Sequence, residues 1–308
     1  YATATNVSYR VSGTFDQLKS GLANAAIDQT ARFVYDGQGA LRFSIDAFGR
    51  VVENRYWVGN GSATAAQMQA TGQVRQRIAY ATALGTLSAY DYETTLAAVN
   101  ALTGDTRVEH MVYNDQGQLV YSVDASGAVA YLVYDESGRV VQATRYATLL
   151  GSALGSDSST WEATLDTWRG TAAHANDRST ISYYNARGEV VFSVDGEGYV
   201  THNFYDKEGR VTEERRHANK LTTTQTASYT ALSTADKGTY RARITQYDMQ
   251  GRVSAVLDEA GRFEAYYYWA HGELQWKIGG TWADNEHVRY YYNQAGQLTS
   301  VQRPTSEI

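Results

Sequence analysis

Acidic side chains recur at regular spacing along this chain, and paired carboxylates are the groups with which glycosidases cleave sugar bonds. Each recurring Asp is followed three residues later by Gly. Asn takes the place of Asp at three of five equivalent positions: 114, 185 and 293. An amide cannot replace a general acid or base, but it accepts a hydrogen bond equally well. The pattern therefore predicts that these residues shape turns and have no catalytic role.

The other residue types that could carry chemistry are scattered. The six His residues stand at positions 110, 174, 202, 217, 271 and 287, and none lies in H-E-x-x-H or another metal-ligand spacing. The chain has no Cys, no G-x-S-x-G, no phosphate-binding or dinucleotide-binding glycine motif, and no D-x-D-x-D run. We therefore predict no catalytic residue, no cofactor and no metal site, and we expect that the protein is not an enzyme.

Three Trp residues are the remaining candidates for binding a ligand. Trp269, Trp276 and Trp282 lie near two Tyr clusters, at 266–268 and 290–292. Their ring faces could stack on sugars, although packing within a sheet is the favoured interpretation. Glycan stacking is kept as the alternative.

The recurring unit is a four-residue turn, [D/N]-x-x-G. Its Asp or Asn can hydrogen-bond the backbone two residues on, and its Gly takes the left-handed conformation that strains other residues. The chain contains eleven intact copies: Asp36–Gly39, Asp46–Gly49, Asn114–Gly117, Asp124–Gly127, Asp135–Gly138, Asn185–Gly188, Asp195–Gly198, Asp206–Gly209, Asp248–Gly251, Asp258–Gly261 and Asn293–Gly296. A degraded copy is Trp269-Ala-His-Gly272.

Short runs rich in Val, Phe and Tyr separate these turns, with apolar residues at alternate positions such as Val190, Phe192 and Val194. Such runs between tight turns indicate successive β-hairpins. The predicted fold class is mainly β, a repetitive antiparallel β-meander that forms a curved sheet or barrel-like shell, with one short helix inserted per module. The predicted helices cover residues 14–26, 92–102, 160–169 and 228–237, the third opened by a capping box, Ser159-x-x-Glu162.

The spacing of the turns divides the chain into modules. The glycines at 39, 117, 188 and 251 are 78, 71 and 63 residues apart, so the material between a constant core varies in length. We predict the end of a preceding module with a lead-in helix at 1–31. Four modules follow, at 32–105 with an insertion of unknown role at 59–71, at 106–176, at 177–238, and at 239–308 with the start of a fifth repeat.

Bulk properties exclude several classes of protein. A net charge of −6 argues against a nucleic-acid surface, and no apolar run has the length of a membrane span. The chain starts at Tyr1, and it starts and ends within sequence that looks like the repeat. We therefore expect an excerpt of a longer protein.

Three of the turns lie in Tyr134-Asp-Glu-Ser-Gly-Arg-Val140, Tyr205-Asp-Lys-Glu-Gly-Arg-Val211 and Tyr247-Asp-Met-Gln-Gly-Arg-Val253. They resemble the Y-D-x-x-G-R-[VL] repeat of the Rhs/YD-repeat family, which includes bacterial Rhs toxins, the B/C shell components of insecticidal toxin complexes and the extracellular part of teneurins. The resemblance covers about residues 28–302. It implies a long β-sheet that spirals into a hollow shell with ladders of repeat tyrosines. The closing D-P-x-G motif of toxin shells does not occur here, so cargo and self-cleavage functions are carried over to no residue.

These observations together favour a structural role. We expect a segment of a large bacterial secreted or cell-surface protein, extracellular, whose modules stack into a shell, tube or fibre wall. Its expected partners at both ends are neighbouring repeats of the same longer chain or further copies of itself. A carbohydrate-binding or adhesion module that binds glycans is one alternative, and a segment of a toxin-encapsulating shell is another.

Overall fold

The computed structural model describes residues 29–58, 72–171, 176–221, 238–281 and 284–303. The helices predicted at 14–26 and 228–237 and the insertion at 59–71 lie outside the described residues. The chain divides into two compact units, residues 1–131 with 146–175 and residues 132–145 with 176–308.

The first unit is a β-meander with two helices. Its elements are β1 (Arg32–Tyr35), β2 (Leu41–Ile45), β3 (Val51–Arg55), β4 (Gln76–Tyr80), α1 (Tyr92–Asn100), β5 (Thr106–Tyr113), β6 (Leu119–Val123), β7 (Val129–Tyr134, whose last three residues belong to the second unit), a 3₁₀ turn (Ser158–Thr160) and α2 (Trp161–Thr171). Each strand from β1 to β7 pairs with the next in antiparallel orientation.

The second unit continues the same plan without a helix among its described residues. Its strands are β8 (Val140–Arg145), β9 (Arg178–Tyr184), β10 (Val190–Val194), β11 (Tyr199–Tyr205), β12 (Val211–Lys220), β13 (Tyr240–Tyr247), β14 (Val253–Leu257), β15 (Phe263–Tyr268), β16 (Leu274–Thr281), β17 (Asp284–Tyr292) and β18 (Leu298–Gln302). Consecutive strands from β8 to β18 again pair antiparallel. The predicted fold class, a mainly β antiparallel meander, is confirmed.

Alternation of side chains places one apolar row of each module in a core. In β2, Phe43 and Ile45 are buried, and they pack with Val34, Val51 and the α1 residue Val99. In the second unit, Phe192, Val194, Val200 and Leu221 form the equivalent cluster. Because side chains of a strand alternate between the faces of a sheet, a one-residue slip would expose each of these rows, and burial therefore fixes the register.

Helix α1 begins where the sequence predicts it. The Asp91 carboxylate accepts a hydrogen bond from the Thr94 backbone N–H at 2.8 Å, which satisfies one of the unpaired amides of the first turn. The helix ends at Asn100, two residues before the predicted end at Leu102.

Helix α2 has a different start from the predicted one. Asp157, not Ser159, is the capping residue: its carboxylate accepts the Ser159 backbone N–H at 3.0 Å and opens the 3₁₀ turn that leads into the helix. A carboxylate two residues earlier thus takes the role that the capping-box pattern assigns to the Ser hydroxyl. Trp161 and Leu165 are buried on the helix face that meets the sheet, where the Trp161 ring packs edge-on against His110.

A backbone contact closes three of the modules in the same way. The chain returns over the turn of the second kind so that Leu84, Leu150 and Leu221 donate their N–H groups to the carbonyls of Gly49, Gly127 and Gly198, at 2.7, 2.7 and 2.8 Å. A Cβ atom on these glycines would lie only 2.4, 2.9 and 2.8 Å from the carbonyl oxygen of the same leucine. These positions therefore require Gly for close approach as well as for the turn.

This double requirement gives a matched prediction. Gly198 and Gly261 both have positive φ, but a Cβ on Gly261 meets no atom within 4 Å. We expect Gly261→Ala to lower the free energy of unfolding by about 1 kcal/mol, the cost of a left-handed Ala. Gly198→Ala should cost at least about 1 kcal/mol more, because Leu221 must move and lose its hydrogen bond. Urea unfolding of both variants measures the difference, and equal costs would contradict the close-approach role.

Candidate functional site: the Tyr–Asp corners

The eleven predicted turns share one hydrogen-bonding arrangement in the part of the chain that the structure describes. The Gly N–H donates to the carbonyl of the first residue, whose own N–H donates to the carbonyl four residues on. The side-chain Oδ1 of that Asp or Asn accepts the N–H groups of the residues two and four positions later, at 2.8–3.1 Å. The eleven glycines have φ between 73° and 89°.

The second side-chain atom of the turn residue selects its partner. In three turns the Asp Oδ2 accepts a hydrogen bond from the Arg Nε four residues later: Asp135–Arg139 at 2.7 Å, Asp206–Arg210 at 2.6 Å and Asp248–Arg252 at 2.7 Å. In the three Asn turns the Asn Nδ2 instead donates to a Gln or Glu at that position: Asn114–Gln118 at 2.9 Å, Asn185–Glu189 at 2.6 Å and Asn293–Gln297 at 2.8 Å. In these six turns Asp is paired with a donor and Asn with an acceptor, as the chemistry of the two side chains requires.

A Tyr at the strand end before the turn connects successive turns. The hydroxyl groups of five such residues donate to the carbonyl of the residue two positions after an earlier glycine: Tyr113 to Val74, Tyr184 to Val140, Tyr205 to Val190, Tyr247 to Val211 and Tyr268 to Val253, at 2.8–3.2 Å. Tyr56 donates to Leu41 in the same manner at 3.1 Å. The strand bulges beside several of these tyrosines, which lets the ring lie along the neighbouring strand.

The Arg of one turn lies over the Tyr of a later turn. The guanidinium carbons of Arg139, Arg210 and Arg252 are 4.6, 4.5 and 4.3 Å from the ring centroids of Tyr184, Tyr247 and Tyr268. Arg75 lies over Tyr113 at 5.3 Å. We call the set of turn Asp or Asn, its partner four residues on, and the Tyr that contacts that partner a Tyr–Asp corner. In the three corners with an Asp–Arg pair, the Arg–Tyr contact joins residues of two different hairpins.

The electrostatics of three corners keep their Asp side chains in the ionised form. Hydrogen bonds from the Arg139 side chain and backbone lower the pKa of Asp135 below its ordinary value of 3.8. Desolvation alone would raise the pKa of Asp206 and Asp248, but hydrogen bonds from the Arg210 and Arg252 backbones and guanidinium groups outweigh it and lower both. These carboxyl groups are ionised at neutral pH and have no proton to donate, and their oxygens are already occupied as acceptors.

The degraded turn shows what the Asp adds. Trp269-Ala-His-Gly272 keeps both backbone hydrogen bonds, at 2.9 and 3.0 Å, and Gly272 has a φ of 114°. It has no carboxylate to accept the amides of His271 and Glu273. The backbone alone can therefore make the turn, and its glycine lies outside the narrow φ range of the eleven others.

The three Trp residues predicted as glycan-stacking candidates have different surroundings. Trp269 is 38% exposed and its ring is nearly parallel to that of His271, with centroids 6.3 Å apart. Trp276 lies within β16, and the Arg289 guanidinium covers one ring face at 4.0 Å. Trp282 lies outside the described residues. Of the described pair, only Trp269 presents a large exposed surface.

A buried carboxylate escaped the sequence reasoning. Glu53 on β3 is 1% exposed and accepts hydrogen bonds from Arg42 at 2.8 Å, from Arg55 at 2.8 Å and from the Tyr80 hydroxyl at 2.7 Å. Burial and this hydrogen bond raise the pKa of Tyr80 to about 12. With its oxygens occupied by two guanidinium groups and a phenol, Glu53 serves as the centre of a buried ion cluster. Position 53 lies four residues after the turn glycine, where Tyr131 and His202 stand in the next two modules, so repeat alignment was the available signal.

Metal binding and membrane insertion are the remaining features to consider. The described residues include no group of three His, Asp or Glu side chains placed to hold a metal ion. Neither helix that the structure describes is long and apolar enough to cross a membrane.

Comparison with known proteins gives a match in fold. Neither a protein-family model nor a curated protein matches the sequence. A crystal structure of TcdB2-TccC3-TEV matches with a TM-score of 0.61 and 15% identity, over 90% of this chain and 12% of that chain. A crystal structure of TcdB2-TccC3-Cdc42 matches with a TM-score of 0.60 and 15% identity, over 90% and 12%. The structure of a Photorhabdus luminescens Tc holotoxin pore with a mutation in TccC3 matches with a TM-score of 0.60 and 15% identity, over 90% of this chain and 11% of that chain.

The chain has the fold of a segment of these toxin-complex chains. It spans only about 11–12% of the length of the structures that it matches. At 15% identity the match concerns the fold alone, and it agrees with the long repetitive β-sheet that the YD-type turns imply.

The pairing of Asn with Glu yields a test of the corners. Asn185→Asp replaces the Nδ2 donor with a carboxylate oxygen beside Glu189, whose side chain is only 15% exposed. We expect the free energy of unfolding at pH 7 to fall by about 1–2 kcal/mol, because a hydrogen bond to a charged acceptor is replaced by repulsion. Adding Glu189→Arg recreates the Asp206–Arg210 arrangement and should restore most of the loss. A double variant no more stable than Asn185→Asp would contradict the partner rule.

The lowered pKa values predict a pH dependence. Because Asp135, Asp206 and Asp248 have folded-state pKa values below 3.8, their ionised forms stabilise the fold above that pH, and this contribution is lost as pH falls through the folded-state values. We expect the urea-unfolding free energy of the native chain to fall steeply below pH 4. The triple variant Asp135→Asn, Asp206→Asn, Asp248→Asn should lose less over the same range, and parallel curves would argue against the corner ion pairs.

Proposed function

We propose that this chain is a non-catalytic wall segment of a large bacterial secreted or cell-surface protein of the Rhs/YD-repeat kind. The observation that carries the proposal is the Tyr–Asp corner, which in three places joins one hairpin to another through a Tyr hydroxyl and an Arg–Tyr contact. Such contacts between neighbours allow a sheet to be extended by repeating the same unit. The fold match to a small fraction of much longer toxin-complex chains supports the same role.

The described end of the meander supports continuation of the wall. All five residues of β18 are exposed, and among them Leu298 and Val301 are 53% and 47% exposed. An exposed apolar strand at the end of a sheet favours pairing with another strand. We propose that a further YD-type repeat, from the same longer chain or from another copy, packs beside β18. A more specific version of this proposal is that the wall forms part of a shell around a toxic cargo, in line with the names of the matched toxin complexes.

Extension of the chain tests the proposal. A second copy of residues 238–303 is joined after Arg303, and the exchange of β18 backbone amides with deuterium is compared with that of the unextended chain. By the corner rule, the Tyr that corresponds to Tyr247 donates to the Leu298 carbonyl, two residues after Gly296. We expect slower exchange across 298–302, and weaker protection when that Tyr in the added copy is Phe. Unchanged exchange in the extended chain would contradict wall propagation at β18.

Adhesion to glycans is a second candidate, favoured by exposed aromatic rings in one segment. Tyr267 is 52% exposed and Trp269 is 38% exposed. Aromatic faces of this kind stack on sugar rings in many binding modules. A glycan array probed with the native chain and with Trp269→Ala tests it: binding that the substitution abolishes supports adhesion, and an array with no bound sugar removes it.

A further inference from the structure

A depression of about 690 Å³ lies on one face of the second unit. It is lined by four basic residues, Arg243, Arg262, Lys277 and Arg303, which come from β13, from the turn after β14, from β16 and from the end of β18. Val256, Val288 and Tyr290 supply its apolar part. These four cations come from separate elements and are brought together by the fold. They do not form a continuous basic run in the sequence.

Arg262 departs from the rule that the other turns follow. Five of the described turns carry Asp with Arg four residues later, and in four of them the guanidinium pairs with the turn carboxylate. In the fifth, Asp258–Arg262, the Arg262 backbone N–H still donates to Asp258 at 2.8 Å, but none of the carboxylates that the structure describes lies within 4.0 Å of the guanidinium, which lines the depression instead. This turn therefore lacks the Asp–Arg ion pair, and its guanidinium group lines the depression.

The other two arginines share this condition. Among the described residues, neither Arg243 nor Arg303 has a carboxylate oxygen within 4.0 Å, whereas Lys277 is paired with Glu264 at 2.6 Å. Three guanidinium groups that line the depression therefore have no ion-pair partner in the described part of the chain. Guanidinium groups bind carboxylate, sulfate and phosphate oxygens in bidentate fashion, which favours anions of these kinds.

Two glycines provide the space. Gly279 and Gly280 are consecutive residues near the end of β16, and Gly within a strand costs stability and can mark the close approach of a ligand. Gly280 has a φ of 140°, a conformation that itself favours Gly. Gly279 has no positive φ, and a Cβ built on it would make ordinary contact with Glu264, at 3.4 Å from Cγ. The backbone therefore does not require Gly at 279. Because Gly279 has no side chain, the depression stays open at this position.

We propose that this depression binds an anionic ligand with at least two carboxylate, sulfate or phosphate groups, such as an acidic oligosaccharide. Asp258 and Glu264 also line it. These two acids weaken the attraction for a ligand with a single charged group, which favours a ligand with several. The site lies on one sheet face of the wall and is additional to the structural role.

Calorimetric titration of the full chain tests the site, with inorganic sulfate, a sulfated disaccharide and the same disaccharide without sulfate as probes. Low ionic strength, with a Debye length above about 10 Å, keeps the attraction measurable. We expect saturable binding of one charged probe per chain and no binding of the neutral sugar. Binding of the sulfated disaccharide in preference to sulfate supports a ligand with several anionic groups, and equal binding of both contradicts it.

Three variants make the result specific. Arg262→Gln removes one cation and Gly279→Gln fills the floor without removing charge, and each should weaken binding at least tenfold. Arg107→Gln, an exposed arginine on β5 in the other unit, changes the net charge equally and should leave affinity within about twofold. The urea midpoint of each variant confirms that it is folded. No saturable binding, or equal weakening by Arg262→Gln and Arg107→Gln, overturns the proposal.

Discussion

The structure depends on one oxygen atom per turn. The Oδ1 atom of each corner Asp or Asn accepts two backbone N–H groups that no strand partner satisfies, and the following Gly takes the left-handed conformation that closes the turn. Buried or half-buried amides without an acceptor cost more than a hydrogen bond contributes. The side chain therefore stabilises a turn that the backbone and its glycine form, and burial of one apolar row then fixes the register of the next strand.

The corners also show how regularly spaced carboxylates can serve a structural role. A catalytic acid needs a proton at neutral pH and an oxygen free to reach a substrate. Asp135, Asp206 and Asp248 lack such a proton, because backbone and guanidinium hydrogen bonds occupy their oxygens and lower their pKa values. In the three Asn turns the partner four residues on is Gln or Glu, whereas in these three Asp turns it is Arg, so both residues satisfy the same structural requirement with different charges.

Local interactions were predictable from the sequence, and interactions between distant residues were not. The turn positions, the strands between them and the start of α1 could be predicted because each depends on residues within four or five positions. The Asp157 cap was missed because Ser159 with Glu162 offers an equally good local pattern. The Glu53 cluster depends on Tyr80, 27 residues away, and the orientation of Arg262 depends on the residues that meet on one sheet face. Neither leaves a local signal, and the same holds for the Arg–Tyr contacts that join the corners.

The central claim is that the corners couple neighbouring hairpins, and a double-mutant cycle between Arg252 and Tyr268 tests it most directly. Their contact spans 4.3 Å from guanidinium carbon to ring centroid, and no other residue needs to change. The free energy of unfolding is measured for Arg252→Gln, Tyr268→Leu and the double variant. If the corners couple neighbouring hairpins, the coupling energy between Arg252 and Tyr268 is about 0.5–1 kcal/mol. Strictly additive losses would show that the two residues act independently and that the corners do not join the repeats.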